Sequence, residues 1–329
     1  MKTVGIVGMP YSGKSTLFTA LTKAGGVGGR ANQAVVEVPD ERVGVLAEIE
    51  RSKKKVSATV KFVDVPGGLT AQGIAEFRGT DALCIVVKAF GPDTEPVKEL
   101  AAIEAELVLA DYASIENGLE KARKRARSGP EGKVEVAVIE AAHSLLEAER
   151  PLREQSWDDS AAKVLRGYGP LTLKPWIVVA NIGEGRLAAE DDGHLPQGAI
   201  PISAALESEV AGMDDAEAKE MLEGFSVAER GLDRVIRGCY AALDLITFLT
   251  TGEDETRAWE VRRGATAPEA AGVIHSDLQR GFIRAEVVNY VDLVAAGSWS
   301  NAKTKGLVRV EGKAYEVKEG DVLNIRFAV

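Results

Sequence analysis

The sequence predicts an α/β fold on a mostly parallel sheet, interrupted by a long helical hairpin and followed by a small α+β unit of grasp type. Three observations predict it. A β-branched run, Thr3-Val4-Gly5-Ile6-Val7, passes through a glycine-bearing loop into Thr16–Thr22, where apolar residues recur at helical spacing. Further apolar runs at 60–63, 82–87, 175–180 and 198–202 are separated by long connections, some of them helically patterned, as in a parallel sheet covered by helices. After residue 244 the pattern changes to short strands bounded by turn residues.

The loop, Gly8-Met9-Pro10-Tyr11-Ser12-Gly13-Lys14-Ser15-Thr16, fits G-x-x-x-x-G-K-[ST] between strand and helix. Glycines let backbone N–H groups turn onto phosphate oxygens, the helix N-terminus adds partial positive charge, and Lys14 supplies a point charge. Gly8, Pro10, Tyr11, Ser12, Gly13, Lys14, Ser15 and Thr16 are therefore the expected phosphate cradle, with Ser15 placed to ligate Mg2+. Residues 23–58 hold the tract Gly25-Gly26-Val27-Gly28-Gly29 before the β-like Ala34–Val38, and a mobile switch loop is expected there. Val60–Val63 then ends in Asp64-Val65-Pro66-Gly67. Asp-Pro-Gly combinations mostly mark turns. Here the tetrapeptide comes about 50 residues after the cradle and directly after a strand, which assigns Asp64 to the magnesium water and Pro66, Gly67 and Gly68 to a switch.

Ala82–Val87 is a continuous apolar run of the kind buried on both faces of a parallel sheet. From Glu95 to Arg127 the pattern is helical, with Val108, Tyr112, Ile115, Leu119 and Ala122 on one seam. Gly129-Pro130 breaks it, and a second helix carrying Val138, Ala142, Leu145 and Leu152 folds back, a hairpin of about 50 Å at ~1.5 Å per residue. Near its tip stand Lys121, Arg123, Lys124, Arg125 and Arg127. A solvated helix end favoured by the dipole is the plain reading; a ribosome or ribosomal RNA contact is the sharper one. The sheet resumes at Pro175–Ala180, leading to Asn181-Ile182-Gly183-Glu184, and at Gly198–Ile202, leading to Ser203-Ala204. In P-loop GTPases such strand ends carry N-K-x-D and a Ser-Ala loop behind the base. With Ile182 for the lysine and Glu184 for the aspartate, guanine selectivity should be weak, while the Asn181 amide can bond an adenine edge. A helical stretch at 232–243 precedes strands at 245–250, 257–261, 307–310 and 322–327, a short helix at 268–274 and a turn at Glu311-Gly312-Lys313. The resulting boundaries are a nucleotide-binding domain at 1–91 and 166–243, the hairpin at 92–165, and the grasp unit at 244–329.

The 329 residues are 45% apolar and 27% charged, with a formal charge of −10. That charge excludes a protein that coats nucleic acid by bulk electrostatics, so DNA is not an expected partner and any RNA contact is local. No apolar run approaches ~18 residues and no h-region follows Met1, so neither a membrane span nor a signal peptide is expected, and the protein is placed in the cytoplasm. Cys84 and Cys239 have no C-x-x-C spacing and read as buried thiols. His275 and Asp277 read as a structural hydrogen-bonding pair, because no nucleophile accompanies them.

With this order of parts the chain resembles the YchF subfamily of Obg-related P-loop NTPases over nearly its whole length. The resemblance rests on Gly5–Pro10 with Gly13–Thr16, Glu106–Asp111, Leu171–Trp176, Asn181–Glu184 and Ser203-Ala204. It rests most of all on Leu249–Glu253 and Ala271–Val287, which look like that family's TGS domain. The resemblance implies a cytoplasmic NTPase that prefers ATP over GTP, contacts ribosomes, and is linked to translation and stress responses. Arg280 and Arg284 of the TGS-like segment then face a partner, together with Arg123, Lys124, Arg125 and Arg127. There are departures. Between Lys23 and Ala58 there is no threonine for the family's switch I. Tyr11 replaces the asparagine that holds a monovalent cation in potassium-stimulated relatives. Gly68 and Leu69 follow the D-x-P-G where a Ras-type glutamine would orient water, and no histidine precedes His143. Two readings follow: a nucleotide-dependent switch with weak ATPase or GTPase activity, or a nucleotide-binding ribosome or RNA interaction module with little turnover.

Overall fold

A computed structural model describes residues 1–23, 32–126, 130–187, 193–225, 227 and 229–328. It divides the chain into two units, Met1–Val36 with Lys61–Val235 and Glu37–Val60 with Ile236–Val329. In chain order the first half contains β1 (Thr3–Val7), α1 (Lys14–Lys23), β2 (Gln33–Glu37), α2 (Glu41–Glu50), β3 (Lys54–Val56), β4 (Thr59–Asp64), α3 (Ala71–Phe77) and β5 (Ala82–Ala89). Next come α4 (Pro96–Arg125), α5 (Pro130–Glu147), α6 (Asp159–Arg166), β6 (Trp176–Ile182), β7 (Ile200–Ile202), α7 (Ala204–Val210), α8 (Asp215–Gly224) and α9 (Gly231–Ala242). The last part holds β8 (Leu245–Thr250), β9 (Glu255–Arg262), α10 (Ala267–Ile274), α11 (Ser276–Arg280), β10 (Phe282–Asn289), α12 (Tyr290–Ala296), α13 (Trp299–Thr304), β11 (Arg309–Glu311) and β12 (Asp321–Phe327).

In the first unit the strand order is β2-β4-β1-β5-β6-β7. β1 pairs in parallel with β4 on one side and β5 on the other; the chain runs from β1 to β2 on one side and later to β5, β6 and β7 on the other, so the strand order reverses at β1. The crevice beyond the carboxyl end of such a strand is where ligands bind in open α/β sheets. β5 is buried along almost its whole length, as its unbroken apolar run requires. The inserted α4 is 30 residues long and packs against the 18-residue α5 through Ile115, Leu119, Ala122, Ile139 and Ala142. The returning arm is shorter than the sequence spacing implies. Glu149 takes the left-handed conformation (φ 57°), Pro151 follows, and Leu152 lies in a 3-10 turn beyond the helix.

The second unit has strand order β11-β10-β12-β8-β9-β3, with α10 packed over Phe248, Ala285 and Val287. Its edge strand β3 comes from the segment expected to be a mobile switch loop and assigned to the 1–91 domain. Of that loop, residues 24–31 lie outside the described residues. The remainder folds because it has partners. Asp40 caps α2 by accepting the Arg42 N–H at 3.0 Å, Val43 and Leu46 are buried, and β3 pairs in parallel with β9. Among the described residues no helix is long and apolar enough to cross a membrane.

Candidate nucleotide site

The loop from β1 to α1 is shaped by two glycines. A Cβ at Gly8 would stand 2.4 Å from the Val86 carbonyl oxygen, and one at Gly13, whose φ is +96°, would stand 2.1 Å from the Asn181 Nδ2. Neither position tolerates a side chain. Between them Tyr11 adopts φ 64° with its side chain projecting into solvent, 89% exposed. An aromatic residue in that region is strained, and a loop that alternates hand in this way turns successive N–H groups into one concavity. Pro10 and Thr16 are exposed on the rim, and Ser12 is buried with its hydroxyl unpartnered among the described residues.

Lys14 is half-buried and donates to the Met9 carbonyl at 2.7 Å. Burial pulls its pKa down from the ordinary lysine value, and the charges of Asp64 and Glu99 oppose that fall. Ser15 Oγ donates to Asp64 Oδ2 at 3.3 Å, so the two oxygens expected to share a metal face each other. They border a cavity of about 470 Å³ whose far wall is Pro66, Gly67, Gly68 and Thr70. The switch tetrapeptide is already a turn, Gly68 N–H to Val65 carbonyl at 3.2 Å, and Thr70 caps α3 directly after it.

Asn181 is 6% exposed and works as a tie. Its Nδ2 donates to the Ser12 carbonyl at 2.9 Å, and its Oδ1 accepts the Ala204 N–H at 3.0 Å. One amide N–H and one lone pair remain for a base. Ile182 does not face a ligand: it is 5% exposed and packs in the core with Ala89 and Leu187. Glu184 is exposed on a 3-10 turn, Ala204 is buried, and Ser203 caps α7 through the Leu206 N–H at 3.3 Å.

Two anchors here have no counterpart in the sequence reading. Arg78, at the end of α3, donates to the Asp111 carboxylate at 3.0 Å and to the carbonyls of Gly169 and Ala110. Asp111 is fully buried on α4 and also accepts the Leu171 and Thr172 N–H groups and the Thr172 hydroxyl. A carboxylate on an apolar helical seam is the signal that could have found it. Secondly, Glu99 in the first turn of α4 accepts the Lys88 N–H at 3.0 Å, and burial raises its pKa above the usual carboxylate range.

The expected partner-facing cations are differently placed. Arg123 donates to Glu140 at 2.7 Å and Arg125 to Glu135 at 2.6 Å, both across to α5. Lys124 has no ion pair among the described residues, and Arg127 lies outside them. In the second unit Arg280 is paired with Asp277, while Arg284 is exposed on β10 opposite Arg326. His275 and Asp277 are a helix cap, Nδ1 accepting the Asp277 N–H at 3.2 Å. Cys84 and Cys239 are buried thiols.

A family model described as a 50S ribosome-binding GTPase matches residues 3–181, and the C-terminal YchF-GTPase model, described as a protein of unknown function, matches 245–328. The "Ribosome-binding ATPase YchF" of Haemophilus influenzae is 40% identical over 360 residues, covering 99% of both chains. The protein of that name from Bacillus subtilis is 37% identical over 363 residues, again covering 99% of each. The structure of the Schizosaccharomyces pombe YchF GTPase superimposes with a TM-score of 0.90 at 31% identity, covering 99% of this chain and 97% of that one. A GTP binding protein from Pyrococcus horikoshii shares the fold, with a TM-score of 0.64 at 21% identity over the full length of both. Joined to a cradle closed by Gly8 and Gly13, a lysine folded into it and a Ser15–Asp64 pair at its mouth, these matches establish that the chain belongs to the YchF family of P-loop nucleotide-binding proteins.

Proposed function

We propose that the protein binds ATP with Mg2+, hydrolyses it slowly, and acts in the cytoplasm as a nucleotide-dependent switch at the ribosome. The observation that carries this reading is the Ser15 hydroxyl 3.3 Å from the Asp64 carboxylate, at the mouth of a cavity that also holds Lys14. An all-oxygen pair beside a phosphate cradle suits a hard cation that keeps most of its water. Mg2+ held there would neutralise phosphate charge; Lys14 and the cradle N–H groups would hold the phosphates in place, and Asn181 would fix the loop against the base pocket. ATP is favoured over GTP because Glu184 is a residue longer than aspartate by one methylene and Ile182 is turned into the core. The ribosomal partner is suggested by the names of the relatives, with Lys124, Arg123, Arg125, Arg127, Arg280 and Arg284 as the candidate contacts to ribosomal RNA.

Titration with ATP, GTP and ADP in the presence of magnesium, followed by phosphate release, tests the site. ATP should bind at least as tightly as GTP, and a strong GTP preference in competition would overturn the base-recognition argument. Replacing Arg123, Lys124, Arg125 and Arg127 together should weaken co-sedimentation with ribosomes and flatten its salt dependence. Unaltered sedimentation at every salt concentration makes those residues a solvated helix end. A second reading, a binding module without turnover, is favoured by Gly68 and Leu69, which offer no side chain to orient water at the switch. Absence of phosphate release with intact binding selects it.

A further inference from the structure

The strand behind the phosphate loop meets a carboxylate that nucleotide binding leaves unused. The loop rests on β5 closely enough that a Cβ on Gly8 would lie 2.4 Å from the Val86 carbonyl oxygen and 3.3 Å from Lys14 Cδ. Two residues along the same strand, the Lys88 N–H is received by Glu99 Oε2 at 3.0 Å. The other oxygen, Oε1, is buried without a hydrogen-bond partner among the described residues. Two cations feel this carboxylate, Lys14 from α1 and Lys88 from β5. Neither closes an ion pair on it among the described residues: Lys14 donates to the Met9 carbonyl, and the Lys88 ammonium lies 5.1 Å from the centre of the Phe90 ring. A half-buried charge left in this state is costly unless something offsets it. Here the Lys88 N–H bond offsets part of it, and the charges of Lys14 and Lys88 offset more.

We propose that Glu99 is a positioning residue of the nucleotide site, whose carboxylate acts as the counter-charge of Lys14 when phosphate is absent and gives up that role to the nucleotide. The idea rests on the nucleotide reading above. Two consequences follow from charge alone. Affinity for a polyanion is set below what the cradle would give by itself, because one negative charge is fixed behind the lysine. The first turn of the helical insertion also loses its cation when the site fills, so α4 is electrostatically different in the two states.

The test is calorimetric titration of Mg-ATP, Mg-ADP and adenosine into the parent protein, Glu99→Gln and Glu99→Asp, at low and high salt. Gln keeps an acceptor for the Lys88 N–H and removes the charge; Asp keeps the charge. Glu99→Gln should bind Mg-ATP severalfold more tightly, because one fixed negative charge behind the lysine is removed. The gain should be smaller for Mg-ADP, absent for adenosine, and reduced at high salt. Glu99→Asp should bind like the parent. Equal or weaker ATP binding by Glu99→Gln overturns the proposal, as does an equal gain for adenosine, which marks a structural effect. A parent protein that binds none of the three overturns the nucleotide reading along with it, so the two failures are distinct.

Discussion

At the phosphate loop a single cation, Lys14, is half-buried and donates to a backbone carbonyl. At the far end of α4 Arg123 and Arg125 are exposed, and each has a glutamate of α5 within 2.7 Å. The loop keeps its lysine out of any direct ion pair among the described residues, with the carboxylates of Asp64 and Glu99 felt only at a distance, and spends its hydrogen bonds on shaping a concavity. At the helix end Arg123 and Arg125 use their charge to join two helices, while Lys124 has no ion pair among the described residues. Counting basic residues along the sequence ranks the helix end above the loop, because five cations in seven residues outweigh one lysine, but the count does not show that Arg123 and Arg125 already meet carboxylates. What decides anion binding is whether the cation already has a carboxylate.

The contrast requires that the hairpin be anchored firmly at its base while its end is solvated, and Asp111 is the anchor to remove. Asp111→Ala leaves Arg78 without its counter-charge and the Leu171 and Thr172 N–H groups without their acceptor, and unfolding in urea should show a loss of about 3–5 kcal/mol. A loss below about 1 kcal/mol would mean that water replaces the carboxylate and the base is not fixed. Next in size is Lys14→Ala, which should lower ATP affinity by about 2–3 kcal/mol while leaving the unfolding midpoint unchanged or slightly raised, since the lysine is held half-buried. Retained affinity would dissolve the distinction between the two cation sites.

A smaller effect separates the strained loop from the relaxed hairpin. Tyr11→Gly should stabilise the fold by about 0.5–1 kcal/mol, the relief of the left-handed conformation less the added freedom of the unfolded chain; a destabilised variant would mean that the ring has a packing role. The smallest change is expected from Arg125→Ala, where an exposed pair is lost and the midpoint at pH 7 should barely move. Its pH dependence is more informative. The hydrogen bond from Arg125 holds the Glu135 carboxyl below the usual carboxylate range, with Tyr168 adding to the effect. A lowered carboxyl contributes stability above the unfolded value of about 4.3, and that contribution fades as pH falls through the lower folded value. Parent and variant should therefore differ most above pH ~5 and converge in stronger acid; a difference that persists there would assign it to lost packing.

The phosphate loop, the Asp64 turn and the strands of the first sheet were legible because each is a contiguous signal: β-branched runs, a fixed glycine spacing, a carboxylate at a strand end. Asn181 was legible as a site residue but its employment was not. A buried amide reads the same whether it meets a base or the Ser12 carbonyl, and only the Ala204 N–H on its other side shows how it is used. Ile182 was misplaced by analogy, since the position that bears a lysine elsewhere is here turned into the core. The strand β10 went unread because the charges of Arg284 and the buried Glu286 interrupt its apolar pattern and the register shifts between Phe282 and Arg284. Arg78 with Asp111 and β3 with β9 join residues too far apart in the chain for any local pattern to predict.

The strand β3 also dictates the order in which the second unit can be completed. Ser52 donates to the Gly252 carbonyl at 2.6 Å, and Lys54 through Val56 register against Glu255 through Arg257, some two hundred positions later. A ribosome adding about 5–20 residues per second therefore exposes Val43 and Leu46 for at least ten seconds before β9 exists to cover them. During that interval the first sheet has strands to close on, but α2 and β3 hang as a loop between β2 and β4. The second unit is thus assembled from residues 37–60 and 236–329, so it cannot be completed until both segments exist, and this long sequence separation makes late, slow assembly a property of the topology itself.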